Sequence, residues 1–280
     1  MAFWAGSTSE LPAGDIVLEA RLASRANTSG PIVDGAGLTT GQPWANNRFV
    51  YEFSPKLQQD QQKIALFEAT CRRLLENTAL RCTQRTEPAA INDPDYVYVI
   101  DGIGDFSFVG RQGGKQVLGI LNWHNTNIIA HEIKHALGWG HEQQHPDRDL
   151  FVEILFENIP PEHQENFRIY DGANEGPYDF DSVMHYYPSD FARPTRKSIR
   201  VKAEYQAYQA VIGQRDHLSA TDLQEIRDFY GDPSVEWCGV RRKPPEGPVA
   251  GCSWVCQLES DPGKGAWMRR GSCERQVADR

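Results

Sequence analysis

Within His131-Glu132-Ile133-Lys134-His135-Ala136-Leu137-Gly138-Trp139-Gly140-His141, two histidines stand four residues apart. On a helix that spacing stacks their side chains on one face, where two imidazole nitrogens can hold a single metal ion. Glu132 lies about 100° further round the helix, off the ligand line but within reach of a water on the metal. Gly138 can take the left-handed conformation that ends a helix, and the turn it permits can bring in His141 as a third ligand. Three neutral imidazoles leave zinc its full double charge and one open position. A structural zinc site closes with four protein ligands, so this arrangement reads as catalytic.

A bare His-Glu-x-x-His arises by chance in roughly one chain in a hundred of this size, as two surface histidines on an amphipathic helix. Adding the glycine and the third histidine lowers that rate to roughly one in a hundred thousand. A separate element then agrees with the first: Ser182-Val183-Met184-His185-Tyr186 suits a turn running beneath the metal.

These residues, with His141-Glu142-Gln143-Gln144-His145-Pro146-Asp147-Arg148-Asp149 and Asp181, resemble the astacin family of zinc endopeptidases, a branch of the metzincins. The likeness continues through Trp44 to Tyr51 and Phe53, Phe108-Val109-Gly110-Arg111, Ile212-Gly213-Gln214 and Leu218-Ser219 with Asp222, and covers residues 35–232. It implies an α+β fold, a metzincin-type catalytic domain of two lobes. The N-terminal lobe would carry helices and a twisted, mainly parallel sheet with an antiparallel edge strand. The C-terminal lobe would be largely irregular, with a Met-turn and a closing helix.

The resemblance also assigns roles. One zinc ion per chain would sit on His131, His135 and His141, with Tyr186 as a fifth ligand at rest. Glu132 would be the general base, and Tyr186 would swing to the oxyanion. Met184 would floor the imidazoles, and Glu142 would contact the buried mature N-terminus. Gln116 to Leu121 corresponds to the sheet edge on which an extended protein or peptide substrate adds as a strand. Departures are instructive. Trp139 stands where the family has Phe, and His145 where it has Arg. The family's two disulfides would need cysteines at Ala79 and Asp232 and at Asp105 and Trp123, and all four are missing.

The elements that must position these groups are visible in the pattern. Arg48 to Phe53 alternates as a strand, residues 58–79 carry a helical apolar stripe, and Tyr96 to Ile100 reads as a buried strand. Cys71, on the stripe, reads as a small core residue. The active-site helix starts near Thr126 with Asn125 or Thr126 as cap, and Ser219 caps a helix running through Tyr230. His124, His163 and His217 read as surface or packing residues, Tyr187 as a packing aromatic, and Asp149 and Asp181 as structural groups holding the lobes in register.

The chain has 280 residues, 40% hydrophobic and 24% charged, which suffices for a sizeable core. Its net charge of −9 argues against nucleic acid or an anionic membrane as main partner. No apolar run approaches the ~20 residues of a membrane span, and a monomer is expected. Residues 1–34 read as a propeptide-like leader in which Leu11-Pro12-Ala13-Gly14-Asp15 partly resembles the family's inhibitory segment. Asp15 would then be a zinc ligand in a latent form. A start without basic residues shows no signal peptide; the resemblance implies secretion, and an intracellular location stays open.

Residues 35–232 form the protease domain, in lobes 35–141 and 142–232. Residues 233–280 form an appendage in which Cys238, Cys252, Cys256 and Cys273 are expected to make two disulfides of unassigned pairing. Two other readings stand beside the endopeptidase. One is a non-catalytic zinc-fold binding protein; the other is a protease whose tail is a carbohydrate- or protein-binding module.

Overall fold

The computed structural model describes residues 44–169 and 176–231, together with the backbones of Ser253–Cys256 and Cys273–Gln276. The chain divides into two compact units, Met1–Pro233 and Ser234–Arg280. In the second, β7 (Ser253–Cys256) and β8 (Cys273–Gln276) pair antiparallel, with Cys256 opposite Cys273. The leader with Asp15, the expected mature start near Gly35 and the tail's disulfides lie outside the described residues.

In the first unit, β1 (Arg48–Phe53), β2 (Arg81–Gln84), β3 (Tyr96–Asp101) and β4 (Lys115–Ile120) form one sheet in the order β2-β1-β3-β4. All three of its ladders are parallel. β4 thus occupies the edge but is itself a parallel strand. The antiparallel element is the short pairing of Phe106 with Gly119 on the outer side of β4, where each residue's N–H donates to the other's carbonyl at 3.1 and 2.9 Å. The Gln116 side chain reaches the same flanking segment, donating to the Gly110 carbonyl at 2.9 Å and accepting from the Gln112 N–H at 2.9 Å. So β4 is the last strand of the sheet, as expected for Gln116 to Leu121, and the 106–112 segment covers part of its outer side. A side chain at Gly119 would strike the Phe106 ring, which is why only glycine fits beneath it.

Helix α1 (Gln61–Leu74) opens on an Asp60 cap that accepts from the Lys63 N–H at 3.1 Å. It stops before Ala79 because the chain turns at Asn77, φ 63°, and Thr78 Oγ1 takes over the Leu75 carbonyl at 2.9 Å. Cys71 is buried on α1, as its place on the stripe predicts, but it is disulfide-bonded to Cys82 of β2. The apolar stripe alone carries no sign of that partner. Phe49, Phe53, Phe67, Leu74, Val97, Val99, Leu118, Ile129 and Ile133 make one core between the sheet and α1 with α2 (Thr126–Leu137).

The chain then changes character. Below the site, from residue 142 to 218, the described elements are 3-10 turns and one small antiparallel ribbon, β5 (Val152–Ile154) with β6 (Ile199–Val201). Its separate core is largely aromatic, with Phe167, Tyr178, Phe180 and Tyr186. Helix α3 (Ala220–Tyr230) closes the unit with the expected capping box between Ser219 and Asp222, and its Ile226 and Tyr230 return to the first core. Where the missing disulfides would lie, hydrogen bonds hold the chain. The Ala79 N–H donates to the Gly231 carbonyl at 2.8 Å, and Asp105 accepts from the Leu121 and Asn122 N–H groups at 2.8 and 3.0 Å.

Candidate metal centre

Helix α2 forms where it does because both of its ends are tied. Asn125 caps the start, its side chain accepting from the Asn127 N–H at 2.9 Å. Asn125 and Asn127 both donate to the Arg215 carbonyl, at 3.1 and 3.2 Å, and Arg215 in turn donates to the His185 carbonyl at 3.0 Å. At the other end a helix leaves its last carbonyls without helical donors. Here those of His135, Ala136 and Leu137 accept from the Gly110 N–H at 2.8 Å, Trp44 Nε1 at 2.7 Å and the Tyr230 hydroxyl at 2.8 Å. Gly138 then turns the chain at φ 126°, as expected for the residue that brings His141 back.

His131, His135 and His141 are each at most 2% exposed, and one ligand atom from each lies within 4.8 Å of the others. Nε2 of His135 is 3.0 Å from that of His131 and 3.2 Å from that of His141. Two of the rings have a fixed tautomer. Nδ1 of His131 donates to the Val183 carbonyl at 2.8 Å and Nδ1 of His135 to the Trp139 carbonyl at 2.7 Å, which leaves both Nε2 lone pairs facing inward. Buried lone pairs that point at one another repel unless a cation lies between them. Zinc with nitrogen ligands at about 2.0–2.1 Å in a tetrahedron needs nitrogens about 3.3 Å apart, so the residues fit one zinc ion. Glu132, one residue after the first ligand, is 1% exposed.

The floor comes from the 182–186 turn. Met184 is buried, and its carbonyl accepts from the Glu142 N–H at 3.1 Å, joining the turn to the residue after the third ligand. The Tyr186 ring centroid lies 4.4 Å from that of His141, and Phe167 and Phe191 flank it at 5.7 and 5.4 Å. Next to it, His185 is buried and bonded on both nitrogens: Nδ1 donates to the Tyr186 carbonyl at 2.8 Å, and Nε2 accepts from the Tyr178 hydroxyl at 2.6 Å. Burial pushes its pKa down to about 4. Glu142 is 2% exposed; burial first, and then the nearby Glu225, push its carboxyl well above the usual range.

Three residues to which the pattern assigns no part, Lys134, Glu225 and Arg215, lie close to the site, and Asp222 has a buried partner that its place in the capping box does not announce. Lys134 is 1% exposed, its Nζ 2.5 Å from Asp222 and 3.1 Å from Glu225. Burial opposes its charge, but the two carboxylates outweigh that and raise its pKa. A lysine inside an otherwise apolar helix face was the available signal. Other expectations divide. His145 takes backbone partners, Nε2 donating to the Gly176 carbonyl and Nδ1 accepting from the Asp147 N–H, both at 3.0 Å. Trp139 packs edge-on against Phe229 at 5.5 Å. Asp181 binds His217 at 2.8 Å, whereas Asp149 is 69% exposed and pairs with its neighbour Arg148, so it bridges no lobes.

A family model described as Astacin, a peptidase family, matches residues 38–231. The bone morphogenetic protein 1 homolog of Strongylocentrotus purpuratus is 30% identical over 226 residues, 78% of this chain and 35% of its own length. The zinc metalloproteinase nas-14 of Caenorhabditis elegans is 39% identical over 155 residues, 52% of this chain and 30% of its own length. The chain thus spans about a third of these two curated relatives. Among solved structures, high choriolytic enzyme 1, a hatching enzyme zinc-protease from Oryzias latipes, is similar with a TM-score of 0.59 at 33% identity. That match covers 69% of this chain and 94% of the other.

Proposed function

The chain belongs to the astacin family of peptidases, and from that membership we propose that it hydrolyses internal peptide bonds of extended protein or peptide substrates. The observation that carries this reading is the convergence of three buried imidazoles beside Glu132. Zinc bound there supplies a Lewis acid that polarises the scissile carbonyl and acidifies a water. Glu132 takes the proton of the attacking water and delivers it to the leaving amine nitrogen. The Tyr186 hydroxyl donates a hydrogen bond to the oxyanion as it develops. Met184 and the turn around it keep water from the underside of the imidazoles.

Two further roles belong to the same reading. Glu142, buried with Oε2 lacking a hydrogen-bond partner among the described residues, suits the ammonium of a processed N-terminus. Asp15 is the carboxylate that holds the unprocessed chain latent, and Asp15→Ala should then be active without cleavage. The Cys71–Cys82 disulfide supports an oxidising, extracellular setting. No helix among the described residues is long and apolar enough to cross a membrane.

The test is digestion of a mixed peptide library, with and without a zinc chelator. Internal cleavages that vanish with chelator and return with added zinc are expected. Release of terminal residues alone would make the protein an exopeptidase, and a zinc-loaded, processed chain that cuts nothing would make it a binding protein.

A further inference from the structure

The ion pair between Lys134 and Asp222 does more than join two helices. Asp222 is fully buried at the start of α3 and accepts on both oxygens. Its Oδ1 takes the Ser182 hydroxyl at 2.7 Å, and its Oδ2 takes the Val183 N–H at 2.9 Å. Ser182 Oγ in turn accepts from the Met184 N–H at 3.0 Å. Val183 then turns its carbonyl to Nδ1 of His131 at 2.8 Å. A path that leaves α2 at Lys134 therefore passes through α3 and the turn beneath the metal, and re-enters α2 at His131. Three residues apart on a helix, these two side chains lie on adjoining turns, so the path is a closed ring.

The geometry points to Lys134 as a positioning residue for the metal centre. We propose that its ammonium, through Asp222, sets the Val183 carbonyl that fixes the tautomer and tilt of His131. Partners that orient a metal-bound imidazole through its other nitrogen govern metal affinity. Without the lysine, Asp222 would be a buried carboxylate held by hydroxyl and amide donors alone, with no counter-charge at its side. Its helix and the turn would then lose their common anchor. Glu225 provides an internal control. It also contacts Lys134, at 3.1 Å, yet it makes no hydrogen bond to residues 182–184. An ion cluster that merely braced the fold would weigh both carboxylates alike; a ring that orients His131 would not.

The inference rests on the zinc reading but not on peptide hydrolysis, because the readouts that decide it are metal binding and spectroscopy on the full chain, with kcat as a further check where peptides are cleaved. Lys134→Met is expected to weaken zinc about 10- to 100-fold in competition with a chelator. It should also alter the visible spectrum of the cobalt-substituted protein and lower kcat at unchanged KM. Glu225→Gln is expected to match wild type in zinc affinity and in cobalt spectrum. Ser182→Ala removes one of the two bonds by which Asp222 holds the turn, leaving the Val183 N–H, and strands no charge; it replaces Lys134→Met if that variant does not fold, and a several-fold loss of zinc affinity is expected. Wild-type affinity and spectrum in a folded Lys134→Met, or in Ser182→Ala when it stands in, overturns the assignment. So does an equal loss in Glu225→Gln. Wild-type protein that binds zinc tightly yet cleaves nothing would defeat the endopeptidase reading alone.

Discussion

Above the zinc site lies a lobe of regular structure; below it lies one with almost none. The upper lobe stacks two helices on a four-stranded parallel sheet around a densely packed apolar core, with one disulfide between α1 and β2. The lower lobe is 3-10 turns around a cluster of rings, such as Phe151 stacked on Tyr178 at 4.7 Å and Phe180 on Tyr208 at 4.5 Å. The first supplies His131, Glu132 and His135; the second supplies Met184 and Tyr186. A helix tied at both ends holds the ligands it carries in fixed relation to one another. Aromatic faces meeting at several angles tolerate sliding, which suits the movement proposed for the Tyr186 hydroxyl. Rigidity and adjustability are thus divided between the lobes, and so should be the effects of perturbing them.

The largest effect is expected on the rigid side. Glu132→Gln should cut kcat by about 10²- to 10⁴-fold with zinc still bound one to one, as metal analysis would show. Wild-type turnover, or stoichiometric loss of zinc, would remove Glu132 from the role of base. On the adjustable side, Tyr186→Phe should lower kcat by roughly ten- to a thousand-fold with little change in KM. An unchanged kcat would leave Tyr186 a packing ring.

Two stability measurements separate the lobes again. Replacing Cys71 and Cys82 with serine should cost about 3 kcal/mol by the chain-entropy model, read as a shift of the denaturant midpoint. Reducing agent should have no further effect on that variant's first unit; a full effect on it would place the sensitive bridge elsewhere. Acid should act from below. His185 is kept neutral by burial, with a folded pKa of about 4 against an ordinary 6.5. Its contribution is present above pH 6.5 and is lost as the pH falls towards 4, because the unfolded chain takes up the proton first. Between pH 7 and 5 that amounts to about 2 kcal/mol, measured as the difference in acid sensitivity between wild type and His185→Gln. Equal sensitivity in the two would show that His185 is not the group responsible.

What could be read beforehand followed the range of the forces involved. Local rules were legible. The i, i+4 histidines, the Asn125 and Ser219 caps and the turn at Gly138 all rest on neighbours within one or two turns, and all stand where the pattern puts them. Pairings across the chain were not. Cys71 and Cys82 stand 11 positions apart with a helix end between them, and a stripe of apolar residues does not record which of its members is cross-linked. Lys134 and Asp222 are 88 residues apart, and although a lysine on an apolar helix face is conspicuous, nothing local names its partner. That the 106–112 segment covers part of the outer side of β4 likewise depends on a pairing, not on either segment's alternation. The lower lobe offered little periodicity because its turns impose none.

The end of α2 draws donors from Trp44, Gly110 and Tyr230, and its Lys134 draws a carboxylate from Asp222. A polypeptide leaves the ribosome from its N-terminus, so the three histidines emerge well before the helix that anchors them. Until α3 is out and packed, the Leu137 carbonyl lacks its tyrosine, Lys134 has no counter-ion, and the turn under the metal has no post to lean on. Long-range closures of this kind form late. A nascent chain of this build would carry its three histidines before the contacts that fix them, and the metal centre would be complete only when nearly all of its domain has been made.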